Sequence, residues 1–395
     1  MIELQILKHL EDTTRNILGS DINQNLRYFF APGRINLIGE HTDYNGGNVF
    51  PCAIDIGTYA SVSIRHDKNI HVYSLNFPHT GTILFSLDNL IYDKNHTWAN
   101  YPKGVIKTFS DNDHILPYGL DICFYGNLPN SAGLSSSASI EVLTGFILNS
   151  MFNFGLDNAQ IAKLGKLAEN NFINVNCGIM DQFAVAMGQQ NHAILLNCQT
   201  LDYKYAKLNL DGYKIVIGNT NKLRTLASSK YNERHSECKQ ALACLQQELS
   251  ITELCHLNSS QFEEYKHLIT NQIWLKRAKH TIYENERTLL AEKALNAGDL
   301  ILFGGLLRQS HISLRDDYEV TGHELDTLVE SAWQHDGCIG SRMTGAGFGG
   351  CTISLVKDVL VNDFIQVVSD KYLAGTDIKA DFYIVTSSDG VKELK

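Results

Sequence analysis

Residues Gly126 to Glu141 read GNLPNSAGLSSSASIE, and this stretch joins a predicted strand to a predicted helix through a loop of small residues. Apolar and polar residues alternate over Leu120 to Phe124, the pattern of a half-buried strand. After the loop, apolar residues recur at the spacing of one helix face, at Ile140, Leu143, Phe146 and Ile147. The backbone N–H groups and the dipole of a helix N-terminus attract anions, so the sequence predicts an anion site in this loop.

The serine loop, residues 131–137, has the chemistry of a nucleotide-phosphate site. The hydroxyls of Ser135, Ser136 and Ser137 are suited to binding phosphate or Mg²⁺, as the Ser or Thr of a P-loop is. The chain contains no GxxxxGKS or GxxxxGKT sequence, which excludes a Walker-type NTPase. The residues alone leave a second interpretation open, in which the serines form a turn that caps a helix.

Strand and helix patterns alternate along the rest of the chain without a regular βαβ period. Ala60 to Ile64 and Ile70 to Ser74 also alternate and are predicted strands. Asp157 followed by Gln160 predicts a capping box, and Glu169 would lie near the end of the helix that it opens. The predicted buried face of this helix carries Ile161, Leu164, Leu167 and Ala168. These patterns predict an α+β fold, and 395 residues allow two domains.

A second glycine-rich stretch, TGAGFGG at Thr344 to Gly350, formally matches the GxGxxG pattern of dinucleotide-binding proteins. That fingerprint must open a helix, whereas Cys351 to Val356 continues as a strand-like run. We therefore interpret the glycines as a turn that allows close approach to another loop. A purely structural turn and a loop beside a ligand are both compatible with these residues.

The segment Ala31 to Gly47, APGRINLIGEHTDYNGG, concentrates hydrogen-bonding side chains among glycines. These side chains include Arg34, Glu40, His41, Asp43 and Asn45. A sugar needs donors and acceptors together, so the segment is a candidate site for a polyhydroxylated ligand. A surface loop is the alternative. Without further His or Cys nearby, the segment is unsuited to a transition metal.

Composition excludes several classes of partner. Acidic residues outnumber basic ones by 43 to 33, and the net charge is −10. Such a chain is unsuited to binding nucleic acid or an anionic membrane surface. No segment approaches the ~20 apolar residues of a membrane helix, and Met1 to Leu10 lacks the apolar core of a signal peptide. The sequence therefore predicts a cytoplasmic protein.

Together the three motifs resemble the signature motifs of the GHMP kinases, a family that includes galactokinase, homoserine kinase, mevalonate kinase and phosphomevalonate kinase. GRINLIGEHTDYNGG is similar to the galactokinase signature in particular. Four further stretches agree with galactokinases: CGIMDQFA at Cys177 to Ala184, LASSKYNERHSEC at Leu226 to Cys238, ENERT at Glu284 to Thr288, and SLRDDYEV at Ser313 to Val320. The resemblance spans residues 29–385, nearly the whole chain.

The resemblance implies a kinase that transfers the γ-phosphoryl group of MgATP to the C1 hydroxyl of galactose, the first committed step of galactose breakdown in the Leloir pathway. The implied partners are galactose and ATP, with Mg²⁺ as the metal and a monomer as the working form. Two alternatives stay open: a kinase for N-acetylgalactosamine, and a galactose and ATP sensor without turnover. Sensors of this kind are altered in the serine loop, whereas Ser135 to Ser139 are intact in this chain.

The resemblance also implies two α+β domains, the first resembling ribosomal protein S5 domain 2 and the second ferredoxin-like. Residues 1–205 would carry the galactose signature and the phosphate loop, and residues 206–395 would form the C-terminal domain. The active site would lie between the domains. The TGAGFGG loop would then approach the N-terminal half near the sugar and the phosphates.

Matching motif positions imply roles for individual residues. The catalytic residues would be Asp181, as the base, and Arg34, which would stabilise the transferring phosphoryl group. The implied galactose-binding residues are Glu40, His41, Thr42, Asp43, Gly178 and Tyr231. The implied ATP-binding residues are Ser74, Ala132, Gly133, Leu134, Ser135, Ser136 and Ser137. Mg²⁺ would be held by Ser137 and Glu169.

Two positions depart from the family pattern. Galactokinase loops usually carry glycine where Ser131 stands, and a serine at positive φ would add strain of order 1 kcal/mol. Asn174 replaces a common glycine, and asparagine tolerates the left-handed conformation better than most residues. Neither change touches a predicted catalytic residue.

Overall fold

Helices and strands interleave along the whole chain in the computed structural model, which describes residues 2–19, 25–129, 133–222 and 227–394. The helices are α1 (Ile2–Ile17), α2 (Asn100–Asp111), α3 (Ser136–Phe152), α4 (Asn158–Ala168), α5 (Met180–Met187), α6 (Ala227–Leu245), α7 (Ser259–Tyr265), α8 (Gln272–Asn296), α9 (Leu300–Ser313), α10 (His323–Trp333) and α11 (Val361–Thr376). The strands are β1 (Arg27–Asn36), β2 (Asn48–Val49), β3 (Pro51–Ile64), β4 (Asn69–Ser74), β5 (Ile83–Ser86), β6 (Leu120–Gly126), β7 (His192–Asn197), β8 (Tyr203–Lys207), β9 (Tyr213–Asn219), β10 (Cys338–Thr344), β11 (Cys351–Lys357), β12 (Asp381–Val385) and β13 (Lys392–Leu394). Within these described ranges, no helix has the length and apolar character needed to cross a membrane.

The N-terminal half is organised on a mixed six-stranded sheet with the order β13-β1-β3-β6-β4-β5. Neighbouring strands are antiparallel except β4 and β6, which are parallel. Successive side chains of a strand point to opposite faces, so Phe29 packs under α2, α3 and α4 while Phe30 packs against Leu10 of α1. Helices therefore cover both faces of this sheet.

The C-terminal half carries a four-stranded antiparallel sheet with the order β10-β11-β9-β12. Helices α6 to α10 lie between β9 and β10 in the chain, and α11 lies between β11 and β12. This strand order with two helical connections is the ferredoxin-like arrangement. Leu328 of α10 and Phe364 of α11 pack together with Val216 of β9. The predicted α+β class is confirmed.

One apolar core runs through both halves of the molecule. It joins Ile35 and Phe50 of the N-terminal half to Ile217 and Ile353 of the C-terminal sheet. The last strand, β13, returns to pair with β1, and a small third sheet has the order β2-β7-β8. The predicted domain boundary at residue 205 falls inside β8, and the division there stays a prediction.

Local patterns predicted most of these elements correctly. The strands expected at residues 60–64, 70–74 and 120–124 are confirmed, and so is the capping box of Asp157 and Gln160. Leu167 was wrongly assigned to the buried face of α4, because 39% of its surface is exposed. Each residue of a helix is rotated by about 100° from the one before it, which places Leu167 on the outer side of α4. Ala162 and Gly165 occupy the buried side instead.

Helix α9 crosses strand β10 without space for a side chain at Gly304. A methyl group there would meet the backbone oxygen of Ile339 at 2.2 Å, whereas nothing lies within 4 Å of the same position at Gly305. We expect Gly304→Ala to lower the free energy of unfolding by about 1–3 kcal/mol, because overpacking pushes the helix from the strand. Gly305→Ala is the control, and it should raise that free energy by up to about 1 kcal/mol through helix propensity. Chemical denaturation of both variants checks this, and equal effects would contradict it.

Candidate active site

Two cavities lie at the predicted site: residues of the first motif and the TGAGFGG loop line the first, and residues of the serine loop line the second. The first cavity has a volume of about 250 Å³ and the second of about 340 Å³. The second is lined in part by Ser74, Ser136 and Ser137. Most of the predicted sugar-binding and catalytic residues line the first, together with Glu169: Arg34, Glu40, His41, Asp43, Gly178, Asp181 and Tyr231.

Arg34 and Asp181 form a bidentate ion pair beside the first cavity. Arg34 lies in β1 and Asp181 lies in the first turn of α5. Arg34 Nε donates to Asp181 Oδ1 at 2.8 Å, and Arg34 Nη2 donates to Asp181 Oδ2 at 2.7 Å. The arginine side chain is 4% exposed and the aspartate side chain 30%. Two parallel hydrogen bonds fix both planar groups, so the carboxylate is held in one orientation while it stays accessible from the cavity.

The serine loop is tied to this ion pair. Arg34 Nη1 donates to the backbone oxygen of Gly133 at 2.9 Å, and the Ser135 hydroxyl donates to Asp181 Oδ2 at 2.5 Å. Ser135 has a left-handed φ of 61°, and α3 begins at the next residue. The predicted order of strand, loop and helix is therefore present. The N-terminus of α3 points its backbone donors at the loop, where an anion can bind.

Asp43 is held against the backbone of Gly178. A methyl group at Gly178 would lie 1.9 Å from Asp43 Oδ2, so only glycine permits this approach. Burial raises the pKa of Asp43 to about 7, and the charges of Asp181 and Glu40 contribute to the same shift. Near neutral pH the carboxyl group therefore exists in both forms, one a donor and the other an acceptor.

Glu40 connects the first motif to the TGAGFGG loop of the C-terminal half. Its carboxylate accepts hydrogen bonds from the backbone N–H of Gly345 at 2.7 Å, from Arg342 at 3.3 Å and from Asn36. Burial raises the pKa of Glu40, and the nearby charge of Arg342 opposes that shift. A carboxylate has about four acceptor positions, so roughly one stays available to a ligand. The predicted approach of the TGAGFGG loop to the N-terminal half is confirmed.

His41 belongs to an aromatic wall of the first cavity. Its ring packs on those of Tyr231 and Tyr318, with centroid distances of 5.6 and 4.7 Å. Its Nδ1 is hydrogen-bonded to the Tyr44 hydroxyl at 2.8 Å, while Nε2 has no hydrogen-bond partner among the residues described. Burial lowers the pKa of His41 to about 3, so the ring is neutral at neutral pH. Nε2 lies buried in the wall of this cavity, which Ala346 also lines.

Thr42 lies outside the lining of the first cavity. It is fully buried, and its hydroxyl is within hydrogen-bond distance of the backbone oxygens of Gly39 and Asn48, at 2.9 and 2.7 Å. These contacts close the turn that carries His41 and Asp43. Leu134 of the serine loop likewise packs its side chain into the apolar core. Ala132 lies outside the described residues, and so does Ser131, where the chain differs from the family pattern.

The second cavity combines hydroxyl groups with aromatic rings. Its lining includes Phe77, Trp98, Tyr101 and Phe124 beside the serines. Flat aromatic surfaces suit the base of a nucleotide, which has a π face of its own. The indole N–H of Trp98 is buried and has no hydrogen-bond partner in the described part of the chain. A ligand that supplies an acceptor there would satisfy it.

Glu169 and Ser137 place two oxygen ligands between the cavities. Glu169 begins a one-turn π-helix, Glu169–Ile173, directly after α4, and Ser137 lies in the first turn of α3. Burial raises the pKa of Glu169, and the nearby Ser137 hydroxyl opposes that shift. Mg²⁺ usually takes one or two protein oxygens together with phosphate and water, so this pair fits the ion. The described residues contain no group of three or more His, Cys, Asp or Glu side chains that could hold a metal by themselves.

Several lining residues were not identified from the sequence. Trp98 and Tyr101 lie in a segment without any motif, and no local signal marks them. Others lie in or next to stretches that the sequence had already singled out, including the TGAGFGG loop: Asn174, Val175, Cys177, Met180, Asn232, Gly345 and Ala346. Asn174 adopts the left-handed conformation that asparagine tolerates, with φ 64°.

Comparison with known proteins shows the family of this chain. Family models match a galactokinase galactose-binding signature at residues 16–64, the GHMP kinase N-terminal domain at 100–189 and the GHMP kinase C-terminal domain at 291–372. A galactokinase of Clostridium beijerinckii is 59% identical over 366 residues, which are 93% of this chain and 94% of that protein. The chain belongs to the galactokinase family. As a member it is an ATP-dependent sugar kinase with the two-domain α+β fold of the GHMP kinases.

Further relatives support the same assignment. A galactokinase of Bacillus subtilis is 54% identical over 94% of this chain and 95% of its own length. The crystal structure of a Lactococcus lactis galactokinase complexed with galactose superimposes with a TM-score of 0.96 at 45% identity, covering 98% of this chain and 100% of that one. A mevalonate kinase structure at 20% identity and a TM-score of 0.63, covering 91% of this chain and 99% of that one, shares the fold alone.

The raised pKa of Asp43 predicts a pH-dependent stability of the protein without substrates. The pKa of this carboxyl group is about 7 in the folded state and ordinarily 3.8, so the group contributes its full stabilisation at pH values below 3.8. This contribution is lost as the pH rises towards and through 7, because the folded state must then hold a poorly solvated charge. Asp43→Asn removes the titration. Its melting temperature relative to wild type should therefore be higher at pH 8 than at pH 5.

Thermal scans of both proteins at the two pH values measure this difference. Asp12→Asn, at an exposed position of α1, is the control and should show the same small difference at both. A difference between Asp43→Asn and wild type that does not change with pH would contradict the prediction.

Proposed function

We propose that this kinase transfers the γ-phosphoryl group of MgATP to the C1 hydroxyl of α-D-galactose, giving galactose 1-phosphate and ADP. The observation that carries the proposal is the location of the Arg34 and Asp181 pair. It lines a cavity of polar, sugar-compatible residues and is joined through Ser135 to the serine loop, next to the aromatic second cavity. Galactose would occupy the first cavity and the nucleotide the second.

Asp181 is proposed as the proton acceptor. In the transfer, the C1 oxygen bonds to the γ-phosphorus while the bond from that phosphorus to the β–γ bridging oxygen breaks. The hydroxyl proton passes to Asp181, and ADP leaves with the electron pair of the broken bond. The double hydrogen bond from Arg34 holds the carboxylate in one orientation beside the cavity that the sugar would occupy.

Arg34 is proposed to stabilise the charge of the transferring group. Its guanidinium is buried, so its field is weakly screened, and it bridges Asp181 and the serine loop. Phosphoryl transfer needs alignment and charge stabilisation more than covalent assistance. Arg34 would supply both, because it also fixes the orientation of the base.

Ser137 and Glu169 are proposed to hold Mg²⁺. When bound, the ion would neutralise the charge of the ATP phosphates. The protein's part is to keep one hydroxyl and one carboxylate together beside the serine loop, which the interaction of Ser137 with Glu169 supports. Gly133, with Ser135 and Ser136, would surround the phosphates, and Ser74 would contact the nucleotide.

Sugar selection is proposed to rest on Asp43, with Glu40, His41 and Tyr231 completing the wall around the ring. Galactose differs from glucose in the orientation of one hydroxyl, at C4. Asp43 is fixed against Gly178 and does not follow a displaced hydroxyl, so a glucose molecule would leave it without its partner. A site built to pair a substrate hydroxyl can discriminate by about 10⁴-fold.

The setting of the reaction follows from its substrates. Because ATP is the phosphoryl donor, we propose that the protein acts in the cytoplasm. We also propose a monomer as the working form.

A substrate panel tests the proposed function. Release of ADP is measured with galactose, glucose and N-acetylgalactosamine, and the phosphorylated carbon is identified by ³¹P and ¹³C NMR. We expect rapid release with galactose, phosphorylation at C1, and a kcat/KM for glucose lower by about 10⁴-fold. Efficient use of glucose would refute the assignment. Preference for N-acetylgalactosamine would make the protein an amino-sugar kinase, and binding without ADP release would make it a sensor.

Replacing the proposed base separates chemistry from binding. Asp181→Asn keeps the size of the side chain and removes its ability to accept a proton. We expect kcat to fall by about 10²- to 10⁴-fold, the usual contribution of a positioned base, while calorimetry still detects galactose binding. Asp157→Asn is the matched control, because it makes the same change at another helix N-terminus, where asparagine also caps well. Wild-type turnover in Asp181→Asn would remove Asp181 from the mechanism.

A further inference from the structure

A cluster of buried polar side chains lies behind Glu169 and has no part in the proposed reaction. It consists of Glu141 on α3, Gln182 on α5 and Glu169 itself. Glu141 and Gln182 are fully buried, and neither lines the two cavities, whereas Glu169 lines the first. Side chains of this kind are costly in a protein interior, so each needs a reason to be there.

Gln182 joins the two carboxylates. Its Nε2 donates to Glu169 Oε2 at 2.6 Å and to Glu141 Oε2 at 2.9 Å. Only the nitrogen of the amide can serve two acceptors in this way, so the orientation of the amide is fixed. The opposite atom, Gln182 Oε1, is buried without a hydrogen-bond partner among the described residues. The side chain therefore pairs one oxygen of each carboxyl group, while its own carbonyl and Glu141 Oε1 stay without a hydrogen-bond partner among the described residues.

The contact fixes one oxygen of Glu169. Gln182 Nε2 and the thiol of Cys177, at 3.3 Å, both contact Oε2. Oε1 takes part in neither of these two contacts. The same carboxylate also touches Ser137, the other proposed ligand of Mg²⁺. Gln182 thus holds the metal-binding group from the side that faces the protein interior.

Neither carboxylate of this cluster has a basic partner in the described part of the chain. An amide hydrogen bond orients a carboxylate without neutralising it. No basic side chain of the described residues therefore occupies the place of a cation at Glu169, whereas a lysine or arginine in the place of Gln182 would compete with a bound metal ion. This makes glutamine the suitable residue type at position 182.

We propose that Gln182 is a positioning residue that orients Glu169 for binding the divalent cation, with Glu141 anchoring the amide from behind. The inference rests on the proposed function, which assigns the metal to Glu169 and Ser137. Outer partners of metal ligands typically contribute 10- to 100-fold to metal affinity. Loss of the Gln182 amide should therefore weaken the cation site and leave the galactose site intact.

The test measures metal binding without turnover. Mn²⁺ takes the same oxygen ligands as Mg²⁺, and its free concentration is read from its EPR signal in the presence of ADP. Gln182→Met keeps the length and shape of the side chain and removes both hydrogen bonds. We expect its Kd for Mn²⁺ to rise about 10- to 100-fold, with galactose affinity unchanged and kcat restored at saturating Mg²⁺.

Two control variants and one replacement variant complete the measurement. Glu169→Ala should abolish most Mn²⁺ binding and tests the proposed metal site itself. Thr144→Val is the matched control for a lost buried hydrogen bond, because Thr144 lies on α3 and bonds only the Ile140 backbone oxygen in its own helix. It should bind Mn²⁺ like wild type. Gln182→Asn, whose shorter amide cannot reach both carboxylates, replaces Gln182→Met if that variant does not fold.

The outcomes separate the two assignments. Weak Mn²⁺ binding by Glu169→Ala and by the Gln182 variants, with Thr144→Val unaffected, supports the inference. Normal binding by the Gln182 variants beside weak binding by Glu169→Ala overturns the inference and leaves the proposed metal site standing. Normal binding by Glu169→Ala refutes the metal site, and the inference with it. A fall in kcat that saturating Mg²⁺ does not restore would also overturn the role of Gln182.

Discussion

The buried guanidinium of Arg34 is the constraint on which the rest of the site depends. A side chain that is 4% exposed cannot rely on water, so its nitrogens need acceptors from the protein. Those acceptors are Asp181 of α5 and the backbone of Gly133 in the serine loop. An unpaired buried charge would cost about 3–5 kcal/mol, so folding brings strand, loop and helix together. The hydrogen bonds that satisfy Arg34 are the same ones that orient Asp181.

Acidic groups are crowded around the first cavity. Asp43, Glu40, Asp181 and Glu169 line it, and Arg34 supplies the basic side chain of that lining. Their proximity raises the pKa of Asp43 and of Glu169 beyond the effect of burial itself. This arrangement is unfavourable in the protein without ligands, and sugar hydroxyls or a cation relieve it. Relief of this repulsion therefore contributes to the binding free energy of the ligands. The cost is a lower stability of the protein without ligands, which is common in active sites.

Sequence reasoning succeeded where the information lies within one segment. Arg34 and Asp43 lie nine residues apart in the first motif. A capping box likewise involves residues only three positions apart. The error at Leu167 came from its angular position on α4, whereas Trp98 of the second cavity was missed because packing between distant elements places it there. Gln182 lies inside the CGIMDQFA stretch, yet its hydrogen bonds join it to carboxyl groups that are 41 and 13 residues away in the sequence. No local sequence pattern predicts such a contact.

Gly178 links sugar recognition to catalysis within one short segment. Asp43 touches the backbone of Gly178, and Asp181 follows at the start of α5. A ligand that displaced Asp43 would press on the segment that carries the base and its partner Arg34. A misplacement of about 1 Å can cost 10²-fold in rate, so a misfitting sugar loses alignment as well as affinity. The lack of a side chain at Gly178 thus allows one rigid contact to couple the choice of substrate to its reaction.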